Sequence, residues 1–199
     1  MKLILASKNP HKLAELDTIL SGLGLEVALE SEFGLDIEVE ETGTTFEENS
    51  FLKAQAVMAA SGRPAIADDS GLMVDALDGA PGVYSARFGH KNSDRERVEY
   101  LLEKLKDVPE AQRTAQFVSV ITCLFPDGRK IVAKGVCPGR ITFAPRGESG
   151  FGYDPIFYLE EFGKTYAELR PEEKNAVSHR GRALREFCRL YQEGSEHDK

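Results

Sequence analysis

Few cysteines, no long apolar run and no basic excess set the first limits on this 199-residue chain. The three cysteines, Cys123, Cys137 and Cys188, are odd in number and too widely spaced for a zinc knuckle or a CxxC pair. They read as buried, reduced thiols in a reducing compartment. No stretch approaches the ~20 apolar residues that a membrane span needs. The apolar run ahead of Ser7-Lys8-Asn9 is also too short for a signal-peptide core. A cytoplasmic protein with no membrane partner is therefore expected. Lys and Arg number 25 against 33 Asp and Glu, a net charge of -8. Duplex nucleic acid and anionic membranes are bound through a basic face that displaces counterions, so this balance argues against both. Any anionic ligand must meet cations gathered locally. Internal repeats, low-complexity tracts and linkers are absent as well.

What is present is the composition of a folded protein, 41% apolar and 29% charged. The length suits one domain or two small lobes, taken as a single domain over 1–199 with a polar tail from about residue 192. Residues 2–6 read as a buried strand. A helix follows, capped by Asn9 with Pro10 at its first position and with Leu13, Leu16, Ile19, Leu20 and Leu23 on one face. Gly22 and Gly24 close it before a strand over 25–29. Thr44 and Thr45, each three residues ahead of a glutamate, signal a capping box for a helix running to about Ser61. Residues 64–67 then read as an apolar strand ending in Asp68-Asp69-Ser70-Gly71. Asn92 or Ser93 caps a third helix with Val98, Leu101, Leu102 and Leu105 inward. Phe117 to Phe125 and Lys130 to Val136 form a hairpin about Asp127-Gly128. A last helix buries Ala183, Leu184, Phe187 and Leu190. Helices interleaved with strands, at least one pair of them a hairpin, predict an α/β fold with a mixed sheet.

Four segments have chemistry to offer. Ser7-Lys8-Asn9-Pro10-His11-Lys12 is a polar turn at a helix start, where open N–H groups, hydroxyls and lysines suit phosphate. It is not a Walker loop, since the glycines are missing. Glu40, Glu41, Asp68 and Asp69 are hard oxygen ligands of the kind magnesium takes, one or two carboxylates completed by substrate phosphates. Lys53 lies on the helix between those two pairs and suits either phosphate or solvent. Gly147 to Pro155 is glycine-rich, with Phe151 as a stacking face and Asp154 as an acceptor for base N–H groups. Lys174 and His179, five apart, fall on different faces of a regular helix, so a break is expected between them, with Ser178 capping the last helix and His179 and Arg180 in its first turn.

Taken in order, six segments resemble the inosine triphosphate pyrophosphatase family, whose members are also called deoxyinosine and xanthosine triphosphate pyrophosphatases. They are Leu-Ala-Ser-Lys-Asn-Pro-His-Lys (5–12), Glu-Glu-Thr-Gly-Thr-Thr-Phe-Glu-Glu-Asn (40–49), Ala-Asp-Asp-Ser-Gly-Leu (67–72), Gly-Ala-Pro-Gly-Val-Tyr-Ser-Ala-Arg (79–87), Gly-Phe-Gly-Tyr-Asp-Pro-Ile-Phe (150–157) and Ser-His-Arg-Gly (178–181). The Maf-type nucleotide pyrophosphatases also open on a strand ending in Ala-Ser, but with a Ser-Pro-Arg-Arg turn. The turn here is Asn9-Pro10-His11-Lys12, and the fifth and sixth segments are of the inosine type. The first loop departs from the common Thr-Gly-Asn start and from a glycine before the lysine: Ser7-Lys8-Asn9 and His11 stand in those places, while the Asn and the final Lys remain.

The resemblance implies two lobes around a long central mixed sheet, an active site in the cleft, and a homodimer. It implies magnesium-dependent (Mg2+) hydrolysis of inosine, deoxyinosine and xanthosine triphosphates between the α and β phosphates. Ser7, Lys8, Asn9, Pro10, His11 and Lys12 would hold the triphosphate. Asp69 would be general base and metal ligand, joined by Glu40 or Glu41. Ser70, Phe151, Gly152, Tyr153, Asp154, Lys174, His179 and Arg180 would bind nucleotide and base.

Overall fold

In the computed structural model, which describes residues 1–197, strand β1 (Lys2–Leu5) carries three fully buried residues in succession, Leu3, Ile4 and Leu5. A strand covered on both faces needs a continuous apolar run rather than alternation. β1 pairs in parallel with β2 (Glu26–Leu29) and with β3 (Ala65–Val74). Between β1 and β2 lies helix α1 (Pro10–Leu20), where the Asn9 side chain accepts the His11 N–H at 2.9 Å and Pro10 stands at the first helical position. Helix α2 (Phe46–Ser61) starts at the capping box read from sequence. The Thr45 hydroxyl accepts the Glu48 N–H at 3.1 Å, and the Glu48 carboxylate accepts the Thr44 N–H at 2.7 Å.

β3 corrects one expectation. The strand does not end at Asp68-Asp69 but runs on to Val74. Both carboxylates find cationic partners, so their burial does not interrupt the ladder, and Leu72 and Val74 resume the buried apolar pattern. Helix α3 (Asp94–Lys104) is capped by Ser93, with Val98, Leu101 and Leu105 buried and Leu102 partly so. Strands β4 (Thr114–Leu124) and β5 (Lys130–Ile141) extend beyond the expected hairpin arms. Gly128, at φ 93°, takes the left-handed step of the turn between them. Short strands β6 (Phe157–Leu159) and β7 (Lys164–Thr165) follow, β6 pairing antiparallel with β5 and β7 antiparallel with β6. They are too short for a periodic signal in the sequence. Helix α4 (Pro171–Val177) is separated from α5 (His179–His197) by Ser178 in an extended conformation, the break expected between Lys174 and His179. α5 outruns its expected end. Much of what reads as a polar tail is helical, and Arg189 meets Glu193 one turn on at 2.6 Å. Residues 198 and 199 of that tail lie outside the described residues.

The seven strands form one sheet in the order β2-β1-β3-β4-β5-β6-β7. Parallel pairs at one end and antiparallel pairs at the other make it the mixed α/β sheet expected. The chain divides into two compact units, one of residues 1–69, 119–135 and 179 onward, the other of 70–118 and 136–178. In the first, alternation along β1 feeds two cores. Leu3 and Leu5 join Leu16, Leu20, Ile66 and Phe187, while Ile4 joins Ala54, Val57, Ala65 and Ala67. Each such fully buried Leu, Ile or Phe contributes about 1.5–3 kcal/mol. The second unit is built around Phe117, Phe157 and Tyr166, with ring centroids 4.6 Å, 4.8 Å and 5.5 Å apart. Cys123 and Cys137 are buried as expected, whereas Cys188 is only half-buried. Among the described residues, no helix is long and apolar enough to cross a membrane.

One glycine fixes how closely α5 packs in the first unit. A Cβ on Gly135 would strike the His179 carbonyl oxygen and the Ala183 backbone nitrogen, neither of which can swing aside. Gly135→Ala is expected to destabilise the protein by about 1–3 kcal/mol, the usual cost of overpacking. A fall in the thermal unfolding midpoint checks this, and an unchanged midpoint would refute the close approach.

Candidate functional site

Two groups of predicted residues assemble in the first unit, and β3 explains why there are two. Successive strand residues project to opposite faces, so Asp68 and Asp69 serve different partners. The Asp69 Oδ1 atom receives the Lys53 ammonium at 2.8 Å, and the same ammonium reaches Glu41 Oε1 at 2.9 Å and the Asp68 carbonyl oxygen at 3.0 Å. Glu41 is half-buried, while the adjacent Glu40 is exposed. Burial pulls the Lys53 amine down, but Asp69 and Glu41 outweigh it and hold the ammonium above its ordinary value. Burial pushes the Asp69 carboxyl up, against the pull of Lys53. Asp69 Oδ2 is buried and has no hydrogen-bond partner among the described residues.

On the other face, Asp68 Oδ2 receives Lys12 Nζ at 2.9 Å and Arg180 Nε at 3.1 Å, while Oδ1 accepts the Ser119 hydroxyl at 2.6 Å. Arg180 also pairs with Glu15 of α1. Two carboxylates against two cations make a near-neutral buried set, the condition under which such charges are tolerated. Burial opposes ionisation of Asp68, but Arg180 and Lys12 hold its carboxyl far below the ordinary carboxylate range. Burial also lowers the Lys12 amine. The rest of the first loop is nearer the surface. Ser7 Oγ accepts the Asn9 N–H at 3.1 Å, exposed Lys8 pairs with exposed Asp36, and Pro10 and His11 are exposed. Ser178 and His179 are buried at the start of α5.

The second unit holds the glycine-rich segment. Asp154 Oδ2 accepts the Phe151 N–H at 2.9 Å and the Lys174 ammonium at 2.7 Å, and that ammonium stands 4.9 Å from the Phe151 ring centroid. Gly150, at φ 80°, must be glycine, because a Cβ there would collide with the Asp154 carboxylate. The Tyr153 hydroxyl donates to the Ser85 carbonyl at 2.8 Å, and Ser85 Oγ accepts the Leu72 N–H at 2.9 Å. Ser85 belongs to the 79–87 segment, and Ser70, half-buried, follows Asp69 directly in the chain.

Four residues in these groups were not singled out by sequence: Glu15, Ser119, Ser85 and Asp94, whose carboxylate accepts the Gly152 N–H at 2.7 Å. Glu15 had a readable signal. It lies three residues after Lys12 on the same helix face, although the partner it takes is Arg180, 165 residues away. Asp94 had none, since its partner is 58 residues away.

A mixed sheet with flanking helices, carrying buried aspartates paired with lysines, defines the general class, an α/β protein with a buried charged cluster. The chain belongs to the Ham1 family, whose model matches residues 3–190. The resemblance carried by the six segments is thus borne out. The chain is 55% identical over 183 residues to a dITP/XTP pyrophosphatase of Synechocystis sp., covering 92% of this chain and 91% of that one. It is 50% identical over 194 residues to a dITP/XTP pyrophosphatase of Thermus thermophilus, covering 98% and 93%. Among solved structures, the HAM1 protein of Coxiella burnetii superposes with a TM-score of 0.89 at 43% identity, covering 97% of this chain and 99% of that one.

Proposed function

We propose that this protein hydrolyses inosine, deoxyinosine and xanthosine triphosphates between the α and β phosphates, clearing deaminated purine nucleotides. The observation that carries the reading is Asp69, buried, gripped by Lys53 beside Glu41, and with one carboxylate oxygen that has no hydrogen-bond partner among the described residues. The names of the relatives supply the substrate class.

The donor set fits magnesium. An orphaned buried carboxylate oxygen on Asp69 and the Glu41 carboxylate are hard ligands, and among the described residues no larger acid cluster forms a closed cage. Magnesium rarely takes such a cage; one or two carboxylates with phosphate and water satisfy it. Bound there, the ion would offset negative charge on the phosphates. Asp69 accepts a proton from the water that attacks the α phosphorus. A new P–O bond forms as the α–β bridging bond breaks, and pyrophosphate leaves. Lys53 and Lys12 neutralise the triphosphate, and the polar side chains of the turn from Ser7 to Lys12 add donors to it; the Asn9 and His11 N–H groups are taken up within the turn by Ser7 Oγ and Asn9 Oδ1. Ser70, the Phe151–Asp154 segment, Lys174, His179 and Arg180 are assigned to the nucleotide. Lys174 is a donor without acceptor capacity, so it matches a 6-oxo purine and leaves the 6-amino group of adenine unpaired. A homodimer in the cytoplasm completes the reading.

Purified protein with magnesium and a panel of nucleoside triphosphates should release pyrophosphate from inosine, deoxyinosine and xanthosine triphosphates in preference to ATP. Preference for ATP, or no pyrophosphate, would overturn the proposal. The two adjacent glutamates differ in surroundings, Glu41 half-buried against Lys53 and Glu40 exposed, which supports Glu41 as the ligand. Glu41→Gln is expected to raise the half-saturating magnesium concentration at least ~10-fold, the lower end of what loss of even an outer-shell partner does, while Glu40→Gln leaves it near the unaltered value. Direct manganese binding, followed spectroscopically, should move in parallel. Equal shifts in the two variants would remove Glu41 from the metal site.

A further inference from the structure

We propose that Asp94 is a positioning residue for base selection, acting through the backbone of Gly152; this rests on the reading of the Phe151–Asp154 segment given above. Several contacts hold that segment, and three of them bear on its geometry here. The Phe151 N–H rests on Asp154 Oδ2, the buried Tyr153 hydroxyl on the Ser85 carbonyl, and the Gly152 N–H on Asp94 Oδ2. The first is internal to the segment and the second anchors its far side. Gly152, at φ 62° with open space where a Cβ would stand, is the conformationally free link between Phe151 and Tyr153. Its tie to Asp94 is a charge-assisted hydrogen bond of 2.7 Å, at the short, strong end for an N–H donor.

Asp94 is available for this because helix α3 does not need it as a cap. Ser93 Oγ accepts the Glu96 N–H at 3.2 Å, and the Glu96 carboxylate accepts the Ser93 N–H at 3.0 Å. Asp94 is also held in place. Its other oxygen pairs with Arg97, and Arg97 donates in turn to the Lys91 carbonyl at 3.0 Å. The chain of contacts runs from the α3 start through Gly152 to Phe151 and Asp154, and Asp154 fixes the Lys174 ammonium. Releasing Gly152 loosens the stacking face and its neighbouring donor together, without touching Asp69, Lys53 or Lys12.

The experiment compares Asp94→Ala and Asp94→Asn with the unaltered protein on inosine triphosphate, ATP and ribose 5-triphosphate, which lacks a base. Asp94→Ala should raise KM for inosine triphosphate ~10-fold, the scale of one charge-assisted hydrogen bond, and cut the preference over ATP similarly, with kcat within about threefold. Its kcat/KM for ribose 5-triphosphate should not change. Asp94→Asn retains an oxygen acceptor for Gly152 and should fall between. An equal loss on all three substrates would show general damage and overturn the assignment, as would unchanged selectivity in both variants. Absence of turnover in the unaltered protein would instead defeat the function proposed above.

Discussion

Asp69→Asn should reduce turnover of inosine triphosphate by about 10²–10⁴-fold, the usual contribution of a positioned general base, while leaving the fold intact. Asparagine has the same shape and keeps an oxygen for the Lys53 ammonium, which retains its bond to Glu41 as well. What it cannot do is take a proton from water at the carboxylate. It also removes the negative charge expected to help hold magnesium, so the defect should persist at saturating metal. Pyrophosphate release and the thermal midpoint, measured together, separate chemistry from folding. Near-normal turnover would sink the assignment of Asp69, and a collapsed midpoint would mark the carboxylate as structural.

Asp68→Asn should show the opposite profile, a large loss of stability. The Asp68 side chain is fully buried and neutralises Lys12 and Arg180 together. Removing one partner of a buried ionic set leaves uncompensated charge, at a cost of about 3–5 kcal/mol. Asparagine still accepts the Ser119 hydroxyl, so the loss reports on charge rather than on that hydrogen bond. The pH dependence follows from the depressed carboxyl. Its stabilisation is fully present above the unfolded value of about 3.9 and is lost as pH falls toward the much lower folded value. Denaturant unfolding of both proteins should therefore show a gap that is constant near neutrality and narrows below about pH 4. A gap that persists unchanged at low pH would mean that the Asp68 charge is not its source.

Much of the fold was legible because its signals are local. Asn9-Pro10, Thr45 with Glu48, Ser93 with Glu96 and the Gly128 turn each act within a few residues, and all stand where the sequence places them. The illegible parts share a different property. β6 and β7 are too short to show a period, and β3 continues through two aspartates that look like a strand end until their partners are known. The polar residues past 191 read as tail because a helix held by exposed ion pairs has no apolar face to reveal it.

The candidate residues divide along the same line. Their kinds, acids, lysines, a glycine-rich segment with an aromatic ring, and their order along the chain were determined by the sequence alone, and with them the family. Tertiary structure alone decided which of two adjacent glutamates meets Lys53, which aspartate is locked in an ionic set and which keeps an open oxygen, and that Asp94 holds Gly152. The reason is physical. A carboxylate's role is set by its burial and by the charges around it, and for Asp68 those charges arrive from Lys12 and Arg180, 56 and 112 residues away.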